Sequence, residues 1–150
     1  MITTPLKVQP RVYNSIQSGM PMSRKCGCLI SCLYPIASTA APRWFTEGFV
    51  DSHPDVVEAL SNALAAGSSE GYASCCEALS VADTREQLKD IKVPVTVLAG
   101  SQDPVTTVAD GQYMVDHIDG ANLVTIDASH ISNVEQPEVF TQLIRDYLTI

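Results

Sequence analysis

Two side chains in this sequence have the types and the spacing to move a proton. His130 lies in "DASHISNVEQP", residues 127–137, and Asp103 lies in "GSQDP", residues 100–104. An imidazole changes charge near neutral pH, and it serves as a general base when a carboxylate fixes its tautomer and orientation. Taken singly, each residue has a plainer explanation: Asp-Pro is a common turn element, and a lone loop histidine is usually a surface residue. The pair is stronger than its members, because each follows an apolar, β-branched run. Other candidates are weaker. Asp127 is too near His130 in sequence to orient it from across a site. His53 falls in a helix-start turn, and His117 in the last turn of a helix, where the dipole favours a cation.

The elements that position this pair can be read from local pattern. "VPVTVLAG", residues 93–100, is a continuous apolar run bounded by Pro94 and Gly100, which predicts a strand buried on both faces. "TTVADGQYMVDHI" predicts a helix with Val108, Met114 or Val115, and Ile118 inward. "NLVTIDA" predicts a second strand, and "QPEVFTQLIRDYL" an amphipathic helix with Pro137 at its start. Strand, helix, strand, helix is the unit of a parallel α/β sheet. In open parallel sheets functional groups gather at the carboxyl ends of strands, which is where both Asp103 and His130 fall. Upstream, three short helices are predicted. Pro54 starts one that turns Val57, Leu60 and Leu64 inward and stops at Gly67. Ser68 or Ser69 starts a second, burying Tyr72, Cys75 or Cys76, and Leu79. A third begins near Asp83 or Thr84 and runs through Leu88.

Composition narrows the function classes. The 150 residues are 45% apolar and 17% charged, as in a globular domain with a core. A net charge of −8 argues against nucleic acid, which needs clustered Lys and Arg, and no apolar run is long enough to span a membrane. The charge is unevenly spread: residues 1–46 hold Lys7, Arg11, Arg24, Lys25 and Arg43 and no acid, whereas all 17 acids lie from Glu47 onward. This places a boundary near Pro42. We expect an irregular leader over 1–41, a helical segment over 42–91 and a βαβα part over 92–150. "MSRKCGCLISCLYPIASTAAP", from Met22, has features of a targeting segment, but Pro35 interrupts its apolar run. The odd number of cysteines and the C-x-C spacing in "CGCLISC" do not suit a structural zinc site. No metal and no cofactor is expected, and small cysteines in a reducing compartment point to the cytoplasm.

At these residues the sequence resembles a known family. "GSQDPVT" followed by "SHISNVEQPEVF" is similar to the C-terminal end of the α/β hydrolases, and among them to the 3-oxoadipate enol-lactonases. "RWFTEGF" (43–49) and "GYASCCEAL" (71–79) resemble the same family in the cap above its active site. The likeness covers about residues 42–148, with Thr107 standing where the family pattern often has proline. It implies a partial α/β-hydrolase fold: a helical cap segment plus the last two parallel strands and C-terminal helices. It implies lactone or ester hydrolysis in aromatic-compound catabolism, the β-ketoadipate pathway, with His130 as base and Asp103 orienting it. Trp44 would line the cap side of the pocket, with Arg43 as a carboxylate partner. In this fold the nucleophilic serine sits between a strand and a helix, before the acid and the histidine. Here the serines before Asp103 lie in the leader, the cap helices or the Ser101 turn, and none stands in G-x-S-x-G between a strand and a helix, so the nucleophile serine and its oxyanion donors are expected to be absent. The sequence thus reads as a fragment that is inactive alone and associates through an uncovered sheet. The alternatives are a non-catalytic remnant or binding protein of the fold, and another esterase or haloperoxidase-like hydrolase.

Overall fold

The computed structural model describes residues 33–148. Its first part is helical: α1 (Leu33–Ser38), α2 (Ala41–Trp44), α3 (Glu47–Ser52), α4 (Pro54–Ala65) and α5 (Ser69–Val81), then a 3-10 turn over Arg85–Asp90. Local chemistry sets the starts. Pro42 and Pro54 stand in the first turns of α2 and α4, where a missing N–H costs nothing. The Thr46 side chain caps α3 and the Ser68 side chain caps α5, the latter accepting from Gly71 N at 3.0 Å.

The expected irregular leader must be corrected at its end. Residues Leu33–Ser38 are helical, burying Leu33 and Ala37 against α4. Four apolar residues in six give this segment a face, and α4 offers a surface for it; neither shows in a composition dominated by proline and cysteine upstream. The proposed targeting segment and Cys26, Cys28 and Cys32 lie outside the described residues. On α4 the expected face, Val57, Leu60 and Leu64, is half-buried. On α5, Tyr72 and Cys76 are half-buried, but Cys75 and Leu79 are exposed. This helix makes only sparse contacts with the other elements, so its apolar pattern has little to bury against. The third helix is a 3-10 turn, opened by Asp83, whose Oδ1 accepts from Arg85 N at 3.2 Å.

The second part is a parallel pair. β1 (Thr96–Gly100) and β2 (Asn122–Ile126) run in register from Thr96 opposite Asn122 to Gly100 opposite Ile126. They are joined by α6 (Val108–His117), which packs on both. Thr107 and Asp110 cap α6 reciprocally, Thr107 N donating to Asp110 Oδ2 at 2.8 Å. Gly120, at φ 73°, makes the left-handed turn into β2. Leu88, Met114 and Ile118 form the core under α6, with Ile91, Val95 and Val97 packed around them. The chain closes with α7 (Ser132–Glu135) and α8 (Pro137–Leu148).

β1 is shorter and less covered than expected. It starts after Pro94, which has no N–H for a ladder, and only Ala99 and Gly100 are buried. One face meets α6; the other opens on an apolar groove of about 390 Å³ between β1 and α8, lined by Val93, Val95, Leu98, Leu143 and Ile144. Among the described residues no helix is long and apolar enough to cross a membrane.

Candidate active site

Because β1 and β2 end in register, the loops that follow them leave the sheet side by side. Backbone bonds continue past the strands: Ser101 N donates to Ile126 O at 2.8 Å and Gln102 N to Ala128 O at 3.0 Å. Asp127 ties the same loops together, its Oδ1 accepting from Gln102 Nε2 at 2.9 Å and from Ser101 Oγ at 3.2 Å. Asp127 is therefore a loop brace. The loops approach so closely that a Cβ on Gly100 would stand 2.4 Å from Ser129 O. Only glycine fits there, a role that its place at the end of an apolar run did not reveal.

This approach brings Asp103 and His130 together, with Nδ1 of His130 at 2.8 Å from Asp103 Oδ2. The carboxylate is fixed by three further bonds: Oδ1 accepts from Val105 N at 2.7 Å and Thr106 N at 3.1 Å, and Oδ2 accepts from Thr106 Oγ1 at 2.7 Å. The Asp-Pro turn and the site are thus one structure; the turn that explains Asp103 locally also aims it. Burial pushes the Asp103 carboxyl upward, but the bonds from His130, the Thr106 hydroxyl and the two backbone N–H groups outweigh it and hold the group below its ordinary value. An ionised carboxylate only accepts, so the Nδ1 facing it carries the proton, and in the neutral imidazole Nε2 then holds the lone pair. Among the described residues His130 hydrogen-bonds only Asp103 and, at 3.4 Å, Thr106 Oγ1, and its side chain is 33% exposed. The arrangement can accept a proton at Nε2 and stabilise the resulting cation.

The histidine loop has a second support that sequence reasoning missed. Glu135 is buried at 9% exposure; Oε2 accepts from Ser129 N at 2.8 Å, and Oε1 accepts from Thr46 N at 3.2 Å and from the Thr46 hydroxyl. Its partner lies 89 residues away, beyond any local signal. Trp44 stands at the same place: its carbonyl accepts from Ile131 N at 3.0 Å, and its half-buried ring meets Phe45 edge-on. Arg43 is half-buried and its charge acts on the Tyr72 hydroxyl, whose pKa burial and then Cys76 push up and Arg43 pulls back. The Cys76 thiol is likewise pushed up by burial, against the bond to Tyr72.

The remaining candidates stay apart from the pair. His53 stacks on Phe49 and its Nδ1 lies 2.9 Å from Ser52 Oγ; His117 stacks on Tyr113. One stretch, Gly67-Ser68-Ser69-Glu70-Gly71, does carry the letters G-x-S-x-G. It lies in the turn between two helices, with Ser68 engaged as a cap and Ser69 opening α5. A nucleophile elbow needs a strand before the serine, and this turn has none. Among the described residues no three His, Cys, Asp or Glu side chains cluster as metal ligands.

No protein-family profile matches the chain. It is 61% identical over 112 residues to 3-oxoadipate enol-lactonase 2 of Acinetobacter baylyi, covering 75% of this chain and 42% of that protein. It is 42% identical over 113 residues to 3-oxoadipate enol-lactonase 1 of the same organism, with the same shares covered. The solved enol-lactonase from Burkholderia xenovorans LB400 matches with a TM-score of 0.78 at 35% identity, over 94% of this chain and 49% of that one. The chain thus spans less than half the length of the curated relatives it matches. The chain belongs to the α/β hydrolases, and within them it is similar to the 3-oxoadipate enol-lactonases.

Proposed function

We propose that these residues are the acid–base half of a lactone hydrolase of the 3-oxoadipate enol-lactonase type. The observation that carries this reading is the Asp103 carboxylate, pinned by its turn and accepting from His130 Nδ1 at 2.8 Å while Nε2 is left without a protein partner among the described residues. A serine and its oxyanion donors, from chain outside these residues, complete the site. Nε2 takes the serine proton as its oxygen attacks the lactone carbonyl, and the same proton passes to the enol oxygen as the ring opens. Nε2 then takes a proton from water, whose oxygen attacks the acyl carbon, and returns it to the serine as 3-oxoadipate leaves. Asp103 stays ionised throughout and stabilises the imidazolium. Trp44 lines the cap side of the substrate site, and Arg43 meets the substrate carboxylate. The protein works in the cytoplasm, where the free Cys75 and Cys76 stay reduced.

A chimera tests this: residues 42–148 replace the matching segment of the Acinetobacter baylyi enol-lactonase 2, and hydrolysis of the enol-lactone and of a simple ester is measured. The lactone should be the better substrate. His130→Ala should cost on the order of 10⁶ in turnover and Asp103→Asn about 10⁴, as in comparable triads. A folded, active chimera indifferent to His130→Ala would refute the assignment.

A further inference from the structure

The hydrogen bonds around His130 form a closed circuit. Glu135 Oε2 holds the backbone N–H of Ser129, the residue before the histidine, at 2.8 Å. Trp44 O holds Ile131 N, the peptide group after it, at 3.0 Å. The circuit closes because Glu135 Oε1 holds both the N–H and the hydroxyl of Thr46, two residues past Trp44. We propose that Glu135 is a positioning residue for His130, coupling the imidazole to the Trp44–Thr46 segment that enters the helical layer. The inference rests on His130 being the base.

The chemistry favours this role over simple packing. Burying a carboxylate is expensive unless all its acceptor sites are used, and an apolar side chain would fill the same space at less cost. What an apolar residue or a glutamine lacks is an acceptor at both ends: the two oxygens meet donors from opposite sides, Ser129 on one and Thr46 on the other. A glutamine NH₂ would point a donor at one of those donors and leave it unpaired in a buried place. Since Glu135 and Trp44 hold the backbone N–H groups of the residues on either side of His130, a shift of Trp44–Thr46 moves both at once. His130 then turns away from Asp103, whose own turn holds it still. A substrate seated against Trp44 would in this way set the orientation of the base.

The test uses the full 150-residue chain with ¹⁵N-labelled histidine, whose three imidazoles are resolved by NMR. The readout is exchange of the His130 Nδ1–H proton with water. The unsubstituted chain should show this proton, and Asp103→Asn should remove it. Glu135→Gln should speed its exchange about tenfold, and Thr46→Val about threefold, with the His53 and His117 signals unchanged. Unchanged exchange in both variants, with the proton lost in Asp103→Asn, overturns the positioning role and leaves the Asp103–His130 pair intact. Absence of the proton in the unsubstituted chain overturns the pair and the positioning role together. If Glu135→Gln also displaces the His53 and His117 signals, the variant has unfolded, and Thr46→Val decides by the same threefold criterion.

Discussion

Alanine at Gly100 should force the two loops of the site apart. Its Cβ would stand 2.4 Å from Ser129 O and 2.6 Å from Ala128 O. Carbon and oxygen rest no closer than about 3.3 Å, so the backbone at 128–129 must retreat by roughly 0.9 Å. These atoms cannot swing aside as a side chain would, because Ala128 O accepts from Gln102 N at 3.0 Å and Glu135 holds Ser129 N at 2.8 Å. A retreat of that size breaks the Gln102 bond, worth about 1 kcal/mol net, and adds about 1–3 kcal/mol of overpacking. Alanine recovers about 0.4–1 kcal/mol by restricting the unfolded chain. The balance is a loss of about 2 kcal/mol, large beside the roughly 5–15 kcal/mol of an ordinary domain. Urea unfolding at one fixed protein concentration, followed by the fluorescence of Trp44, the single tryptophan, measures it directly. The histidine loop should shift as well, so the His130 Nδ1–H proton should exchange faster. A variant within about 0.5 kcal/mol of the unsubstituted chain would refute the steric argument, provided that it also keeps slow Nδ1–H exchange.

Asp103 sits below its ordinary carboxyl value of 3.8, so its contribution to stability is complete above that pH and is lost as the pH falls through the folded-state value. Urea midpoints should therefore fall more steeply below about pH 4 in the unsubstituted chain than in Asp103→Asn; equal slopes would contradict the assignment. Val93 is 62% and Leu148 74% exposed, and among the described residues β1 pairs on one edge only. Sedimentation of the 150-residue polypeptide should show concentration-dependent association that Val93→Lys weakens, and a concentration-independent monomer would count against it. That polypeptide alone should not hydrolyse the enol-lactone; turnover that vanishes in His130→Ala would mean a nucleophile is present after all. Thr107→Ala removes one arm of the reciprocal cap on α6 and should cost about 1 kcal/mol, measured as a shift in urea midpoint.

The sequence alone determined the features that depend on near neighbours. Pro54 and Ser68 mark helix starts because caps and prolines act within one turn, and the run ending at Gly100 reads as a strand because β-branched residues favour one. The order of Asp103 and His130 along the chain, each after a strand, was legible for the same reason. Only the tertiary structure decided what depends on meeting. The burial of β1 falls short of its apolar pattern because cover must come from other elements, and the helix over Leu33–Ser38 exists where α4 receives it. The letters G-x-S-x-G at 67–71 are empty because a helix, not a strand, precedes them. Glu135 gains its role only when folding brings Thr46 to one oxygen and Ser129 to the other. A hydrogen bond is fixed by direction and distance in space, and sequence separation carries neither.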